Sequence, residues 1–275
     1  VFISHLKVLI VTDNIIKNNI DFKDYFLRSS KSKMNFYVYV INEDIKDKVL
    51  TIYKETDGSA IYLEKMMKFN QNIFSSSTPL KFSEYAYYSL EKGYDNIYPK
   101  IDIVKNNDKE VLYLSNLTTF KDKKEIELSE NESIFYNILT NKANKSSLTI
   151  ECDNNTFSIE IQDIKTKYKL KNNKLSINNK SKTKIIDYKC KYDLNEKKSI
   201  EKLNDLTNKY IEDNINNLLN FMKENNTDII GIGSYIYKHN TKYFKNKDRW
   251  NTYLNDIKLD INSNTNITSI GEIKR

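Results

Sequence analysis

The chain has 275 residues, 39% of them hydrophobic, which is enough for one large core or two to three modest ones. Its 44 basic and 37 acidic residues leave a net charge of +7, and its two cysteines exclude a disulfide-dense scaffold and a four-cysteine zinc site. Aromatics at 12% exclude a disordered chain, and no segment reaches the roughly eighteen apolar residues of a membrane-spanning helix. Lys, Asn, Ile and Tyr are abundant while Arg, Ala, Gly and Pro are scarce. An AT-rich genome accounts for that bias, so a lysine run carries weight only where its spacing is patterned.

The chain opens at Val1 on the apolar run "VFISHLKVLIV". This run is too short to span a bilayer and lacks a signal-cleavage pattern. It reads as a buried strand, and the expectation is a fragment of a longer precursor whose targeting segment lies upstream. The strand, His5 to Asp13, ends at a helix-capping residue. A helical pattern follows through Ile15, Ile16, Ile20, Phe22, Tyr25 and Phe26, with a break near Asp21. A second strand, Met34 to Asn42, makes the first forty residues a strand–helix–strand unit, which predicts a parallel pair. Helices are predicted at Ile45–Lys54, Ser59–Asn70 and Phe82–Lys92, the last with Ser83 as N-cap and Gly93 as its stop.

A strand at Asp95–Asp108 has Pro99 near its start. Beyond it the pattern predicts a strand at Val111–Thr119, a turn at "KDKK" and a helix at Glu130–Thr140. A meander follows at Leu148–Cys152, Phe157–Ile164, Lys165–Leu170, Leu175–Ile177 and Lys184–Tyr192, split by Asn-rich turns. The longest helix, Ile200 to Lys223, keeps apolar residues at helical spacing, and the last strand alternates through Ile257, Leu259, Ile261 and Ile267. The expected architecture is α+β and multidomain, with mixed sheets and flanking helices. Residues 1–94 form an N-terminal α/β region, 95–110 a linking strand, and 111–275 a largely antiparallel sheet packed on the long helix.

"DIIGIGSYIYKHNTKYFKNKDRW", Asp228 to Trp250, holds two of the five glycines and the only tryptophan. "GIG" is not a dinucleotide-binding fingerprint: the third glycine would fall at 236, which is Ile, and a long helix rather than a strand precedes it. The stretch reads as a packing corner. Asp228 caps a helix whose buried side carries Ile229, Ile232, Ile236 and Tyr235. Gly231 and Gly233 let another element approach its backbone, and Trp250 anchors a second short helix.

His5 reads as a structural hydrogen-bonding residue and His239 as a charge near a helix end; no pair has metal-ligand spacing. No G-x-S-x-G, H-E-x-x-H or P-loop is present. Carboxylates are plentiful, so a surface hydrolase built on a carboxylate pair stands as one alternative. Cys152 and Cys190 point to the apolar faces of their strands, either as a cross-strand disulfide or as two buried thiols. From Lys165 to Lys191 there are ten lysines against one acid, Asp187. Lys165, Lys167, Lys169 and Lys171 alternate with Thr166, Tyr168 and Leu170, placing all four on one face. That face is either a solvated outer surface or a contact for a membrane, a partner or another polyanion.

Several separated segments, in the same order, are similar to the Ger(x)C spore-germination lipoprotein family, the C subunits of nutrient germinant receptors. They are "FISHLKVLIVTD" at 2–13, "NFYVYVI" in the second strand, "IYPKIDI" at 97–103, "TFKDKKEIELSENES" at 119–133, "YDLNE" at 192–196 and the signature from Asp228 onward. The resemblance implies a non-catalytic lipoprotein on the outer face of the spore inner membrane, anchored by a lipid on a cysteine upstream of Val1 and needing no other cofactor. It implies assembly with two integral membrane subunits, A and B, and a part in the response to small nutrients. Neither a nucleic-acid partner nor a metal is expected, and no ligand-contact motif transfers to numbered residues.

Overall fold

The computed structural model describes residues 5–28, 33–55, 60–171, 174–239 and 257–270. Two sheets organise them. The first has the order β1-β2-β3-β4-β5, formed by Val8–Thr12, Tyr37–Ile41, Ile97–Asn106, Lys109–Lys121 and Lys124–Glu127. β1, β2 and β3 run parallel; β3, β4 and β5 run antiparallel. The parallel β1–β2 pair is the one predicted from the strand–helix–strand spacing.

Both faces of this sheet are covered. In β2, Val38 and Val40 point to a core with Phe26, Phe36, Phe82 and Tyr98, while Tyr39 and Ile41 point to another with Val49, Ile52, Leu63 and Met67. This is why "YVYVI" is a continuous apolar run rather than an alternating one. The helices on the two faces are α1 (Asp13–Lys17), α2 (Lys23–Arg28) and α5 (Phe82–Tyr88) on one side, α3 (Lys46–Glu55) and α4 (Ala60–Ile73) on the other. The predicted break near Asp21 separates α1 from α2. Ser83 is not the cap of α5. The helix begins at Phe82, and the Glu84 carboxylate accepts the Lys81 N–H at 3.0 Å.

Residues 95–110 hold the central strand of the first sheet, which continues through β4 and β5 to Glu127. Pro99 lies beside a bulge at which Ser115 and Asn116 oppose Lys100 alone. Having no N–H to donate, proline is tolerated there. Lys100 is only 4% exposed, and its ammonium pairs with Glu125 at 2.9 Å and Glu127 at 3.1 Å.

The second sheet has the order β6-β7-β8-β9, formed by Ser146–Cys152, Asn155–Lys171, Lys174–Tyr188 and Lys258–Ser269. It is antiparallel except for the β8–β9 pair. Its inner face packs on α6 (Glu130–Leu139), α7 (Lys197–Glu224) and α8 (Ile232–His239), enclosing Phe135, Phe157, Ile177, Ile185, Ile215 and Met222. The four short strands predicted between 157 and 192 are two long ones. Asn178 and Asn179 sit within β8, not in a turn, and the Asn179 amide donates to Thr166 Oγ1 at 3.0 Å in the interior. β7 instead bends at a bulge, where Asp163 has φ +52°.

Three hairpins turn on residue pairs with positive φ: Asn107–Asp108, Asp122–Lys123 and Asp153–Asn154. Two-residue loops of this kind match the twist of paired strands. The outer edge of β9 is covered by α7. Glu212 accepts the Ser263 N–H at 2.8 Å, Asn208 the Thr265 N–H at 2.7 Å, and Asn204 the Ile267 N–H at 3.0 Å. Among the described residues no helix is long and apolar enough to cross a membrane.

Candidate functional site

Asp228 lies four residues before the first residue of α8. Asp228 is fully buried, and its carboxylate accepts the N–H groups of Gly231 at 2.9 Å, Ile232 at 3.0 Å and Gly233 at 2.8 Å. These are the donors a helix start leaves without partners. Burial pushes the Asp228 carboxyl up to about 7, and the Asp95 carboxylate adds to the rise; the three backbone donors pull the other way.

The two glycines have different tasks. α8 begins at Ile232, so Gly231 precedes the helix rather than lying inside it, and its φ of +74° is a left-handed value that suits glycine. A Cβ there would lie 2.5 Å from Tyr94 Cδ2. Gly233 lies in the first turn of α8, buried, with its N–H held by Asp228. Trp250 and its predicted short helix lie outside the described residues.

What approaches Gly231 is the segment leading into β3. Tyr94 stacks on Tyr88 with centroids 4.4 Å apart, and its hydroxyl lies 3.4 Å from that of Tyr136. Asp95 and Asp228 bind each other reciprocally: the Asp228 N–H donates to Asp95 Oδ2, and the Asp95 N–H to the Asp228 carbonyl, both at 2.8 Å. Lys121 on β4 pairs with Asp95 at 3.1 Å. Further along, the Ser234 N–H donates to the Gly93 carbonyl at 3.0 Å, Ser234 Oγ to Glu91 at 2.6 Å, and Lys238 pairs with Glu91 at 3.0 Å. The hydrogen bond from Ser234 leads the interactions that hold the Glu91 carboxyl below its ordinary range. Residues 91–95 and 228–238 are therefore welded together across more than 130 positions of sequence.

Beside this weld lies a hollow of about 290 Å³, walled by Tyr88, Tyr94, Tyr168 and Tyr235 with Lys142 and Lys238 at its rim. The Lys142 ammonium lies 5.7 Å from the Tyr88 ring centroid. A second tie runs from α6: Asn137 donates to the carbonyls of Ser75 at 2.7 Å and Ser77 at 3.0 Å. Nothing in the local sequence marks Tyr94, Asp95, Lys121 or Asn137 as part of this corner. "GYD" at 93–95 offers only a helix stop followed by an acid, and no local period marks a partner so remote.

The other predicted residues are spread widely. Lys165, Lys167, Lys169 and Lys171 are all exposed on the outer face of β7, with Thr166 buried and Tyr168 and Leu170 half-buried behind them. Cys152 and Cys190 form a disulfide joining the end of β6 to the chain just past β8, with Cα atoms 5.9 Å apart. β8 ends at Tyr188, so Cys190 lies beyond the strand predicted to carry it. His5 is exposed. His239 sits in the last turn of α8, stacked on Tyr235 at 4.0 Å. Among the described residues no group of three or more His, Cys, Asp or Glu is placed to hold a metal ion. The carboxylates of Asp95 and Asp228 lie close, but the latter is sealed from solvent with both oxygens taken by backbone donors, so this pair serves as a joint.

Comparison with known proteins gives three results. A family model described as spore germination B3/GerAC like, C-terminal, matches residues 115–271, and one described as spore germination protein N-terminal domain matches residues 1–103. No curated protein matches the chain. The crystal structure of the GerBC protein superposes with a TM-score of 0.65 at 16% identity, over 96% of this chain and 79% of that one, a likeness of fold.

Proposed function

The chain belongs to the spore germination B3/GerAC-like family, and from that premise we propose that it is the C subunit of a nutrient germinant receptor. The observation that carries this reading is the match of both family models, in order, to 1–103 and 115–271; the fold shared with GerBC supports it. In this role the subunit is non-catalytic. It works at the outer face of the spore inner membrane, held by a lipid anchor, and joins the integral membrane A and B subunits of the same receptor in assembly and in relaying the nutrient signal.

The weld between 91–95 and 228–238 suits such a role. A subunit that relays displacement needs its sheets to move together, and the reciprocal Asp95–Asp228 bonds with the Tyr94–Gly231 contact join the entry of β3 to the start of α8. The test is deletion of the gene in the source organism. Spores of the deletion strain are expected to lose the response to a subset of nutrients while vegetative growth is unchanged, with the response restored by the intact gene. Unimpaired germination to every nutrient tested overturns the assignment.

A further inference from the structure

The geometry points to the distal half of the β7–β8 hairpin, with the adjoining part of β9, as a docking face for an anionic phospholipid surface. Beyond the bulge at Asp163, outward positions fall in rows across three strands. Lys165 faces Lys180, which faces Asn264; Lys167 faces Asn178 and Asn262; Lys171 faces Lys174, which faces Lys258. With Lys169 and Lys182 this half-face carries eight lysines. Its carboxylates are Asp163, paired with Lys182 at 2.8 Å, and Asp260, paired with Lys174 at 3.1 Å. The excess of six positive charges nearly equals the +7 of the whole chain. Lys165, Lys167, Lys169, Lys171, Lys180 and Lys258 have no carboxylate within 4.0 Å among the described residues.

Two features separate this face from an ordinary solvated surface. Lysines stand directly opposite lysines at 165/180 and at 171/174, and like charges in that position destabilise a sheet. Elsewhere on the same sheet acids are interspersed: Glu160 pairs with Lys145, and Asp187 with Lys189. The repulsion is thus concentrated on one half, where an external anion relieves it. The chemistry of the surroundings is also selective. Asn178, Asn264 and Asn266 line a shallow hollow of about 670 Å³ with Lys165, Lys167, Lys180, Lys182 and Ser181; its one carboxylate, Asp163, is paired with Lys182, which leaves three ammonium groups beside neutral amide donors. That set suits phosphate oxygens and the hydroxyls of a glycerol headgroup.

A membrane surface fits better than a nucleic acid. The outward residues of this half are Lys, Asn, Ser and Asp, with neither an arginine to read base edges nor an aromatic ring on which a base could stack. A sheet face carrying flexible point charges at about 5–7 Å spacing matches a plane of mobile headgroups. The inference follows from charge placement and not from family membership, so it stands or falls apart from the receptor reading.

The experiment is co-sedimentation of the purified chain with vesicles of phosphatidylcholine alone or with about 30 mol% phosphatidylglycerol, across roughly 50–300 mM salt. Binding to the anionic vesicles is expected to be at least about tenfold tighter than to neutral ones at low salt, and to weaken as salt rises. The variant Lys165→Glu/Lys167→Glu/Lys180→Glu is expected to lose that preference. A control variant, Lys46→Glu/Lys68→Glu/Lys209→Glu, with the same charge change elsewhere, keeps most of it. If the first variant fails to fold by circular dichroism, the Gln series at the same positions replaces it. Equal binding to both vesicle types, equal loss in the control, or tighter binding to duplex DNA than to anionic vesicles overturns the proposal; the last outcome assigns the face to nucleic acid.

Discussion

The ring of Tyr94 occupies the space that a side chain on Gly231 would need. The ideal Cβ of residue 231 falls 2.5 Å from Tyr94 Cδ2, and the residue has φ +74°. Gly231→Ala therefore meets two separate penalties, a left-handed backbone and an aromatic neighbour. The expected loss is about 2–3 kcal/mol, read as a lowered melting temperature. Adding Tyr94→Ala removes the clash but not the strain, so the double variant is expected to fall short of additivity. An unchanged Tm in the single variant contradicts the contact.

Asp228 makes stability depend on pH in the direction opposite to an ordinary ion-paired carboxylate. Its folded value, about 7, lies above the reference of 3.8, so the native chain holds a proton that the unfolded chain releases between those values. This contribution is complete below about pH 4 and disappears as pH rises through about 7. Denaturant unfolding at pH 5 and pH 8 is expected to show a loss on the order of 1–4 kcal/mol attributable to this group. Asp228→Asn, which cannot titrate, is expected to flatten the difference while lowering stability overall, because an amide nitrogen cannot accept the Gly233 N–H.

The Cys152–Cys190 disulfide closes a sequence separation of 38 residues around β7 and β8. Replacing both cysteines with alanine is expected to cost about 2–4 kcal/mol. Reductant should lower the Tm of the native chain and leave the double variant untouched; equal sensitivity in both excludes the bond as the cause.

Asn137→Ala leaves the carbonyls of Ser75 and Ser77 without the amide that satisfies them in the interior. A loss of about 1–3 kcal/mol is expected, with faster amide exchange around residues 70–78. Exchange rising uniformly across the molecule, with no local excess, argues against a local tie.

Much of the fold was legible because its signals are local. "HLKVLIVTD", "NFYVYVI" and the period of the long helix from Ile200 each contain their own evidence, and the Lys165–Lys171 alternation placed four side chains on one face that the structure exposes together. The full length of the β7–β8 hairpin is not legible locally, because Asn178 and Asn179 carry a turn preference that pairing on both sides overrides. At the corner, Asp228 and its glycines were visible as a helix start. Their partners were not, since Asp95 lies 133 positions away and only tertiary pairing reveals it.

Asn204, Asn208 and Glu212 of α7 act as a ruler laid along β9. Residues 204, 208 and 212 recur every four positions, about 6.0 Å along a helix, while 267, 265 and 263 recur every two, about 6.8 Å along a strand. The two scales slip by only about 0.8 Å per mark, so all three marks stay within side-chain reach. Where those marks meet the strand, the sheet has a finished margin that admits no further strand. Asn208→Ala is expected to reopen it, seen as concentration-dependent self-association in sedimentation, and partners of the intact chain are directed away from that margin toward its faces.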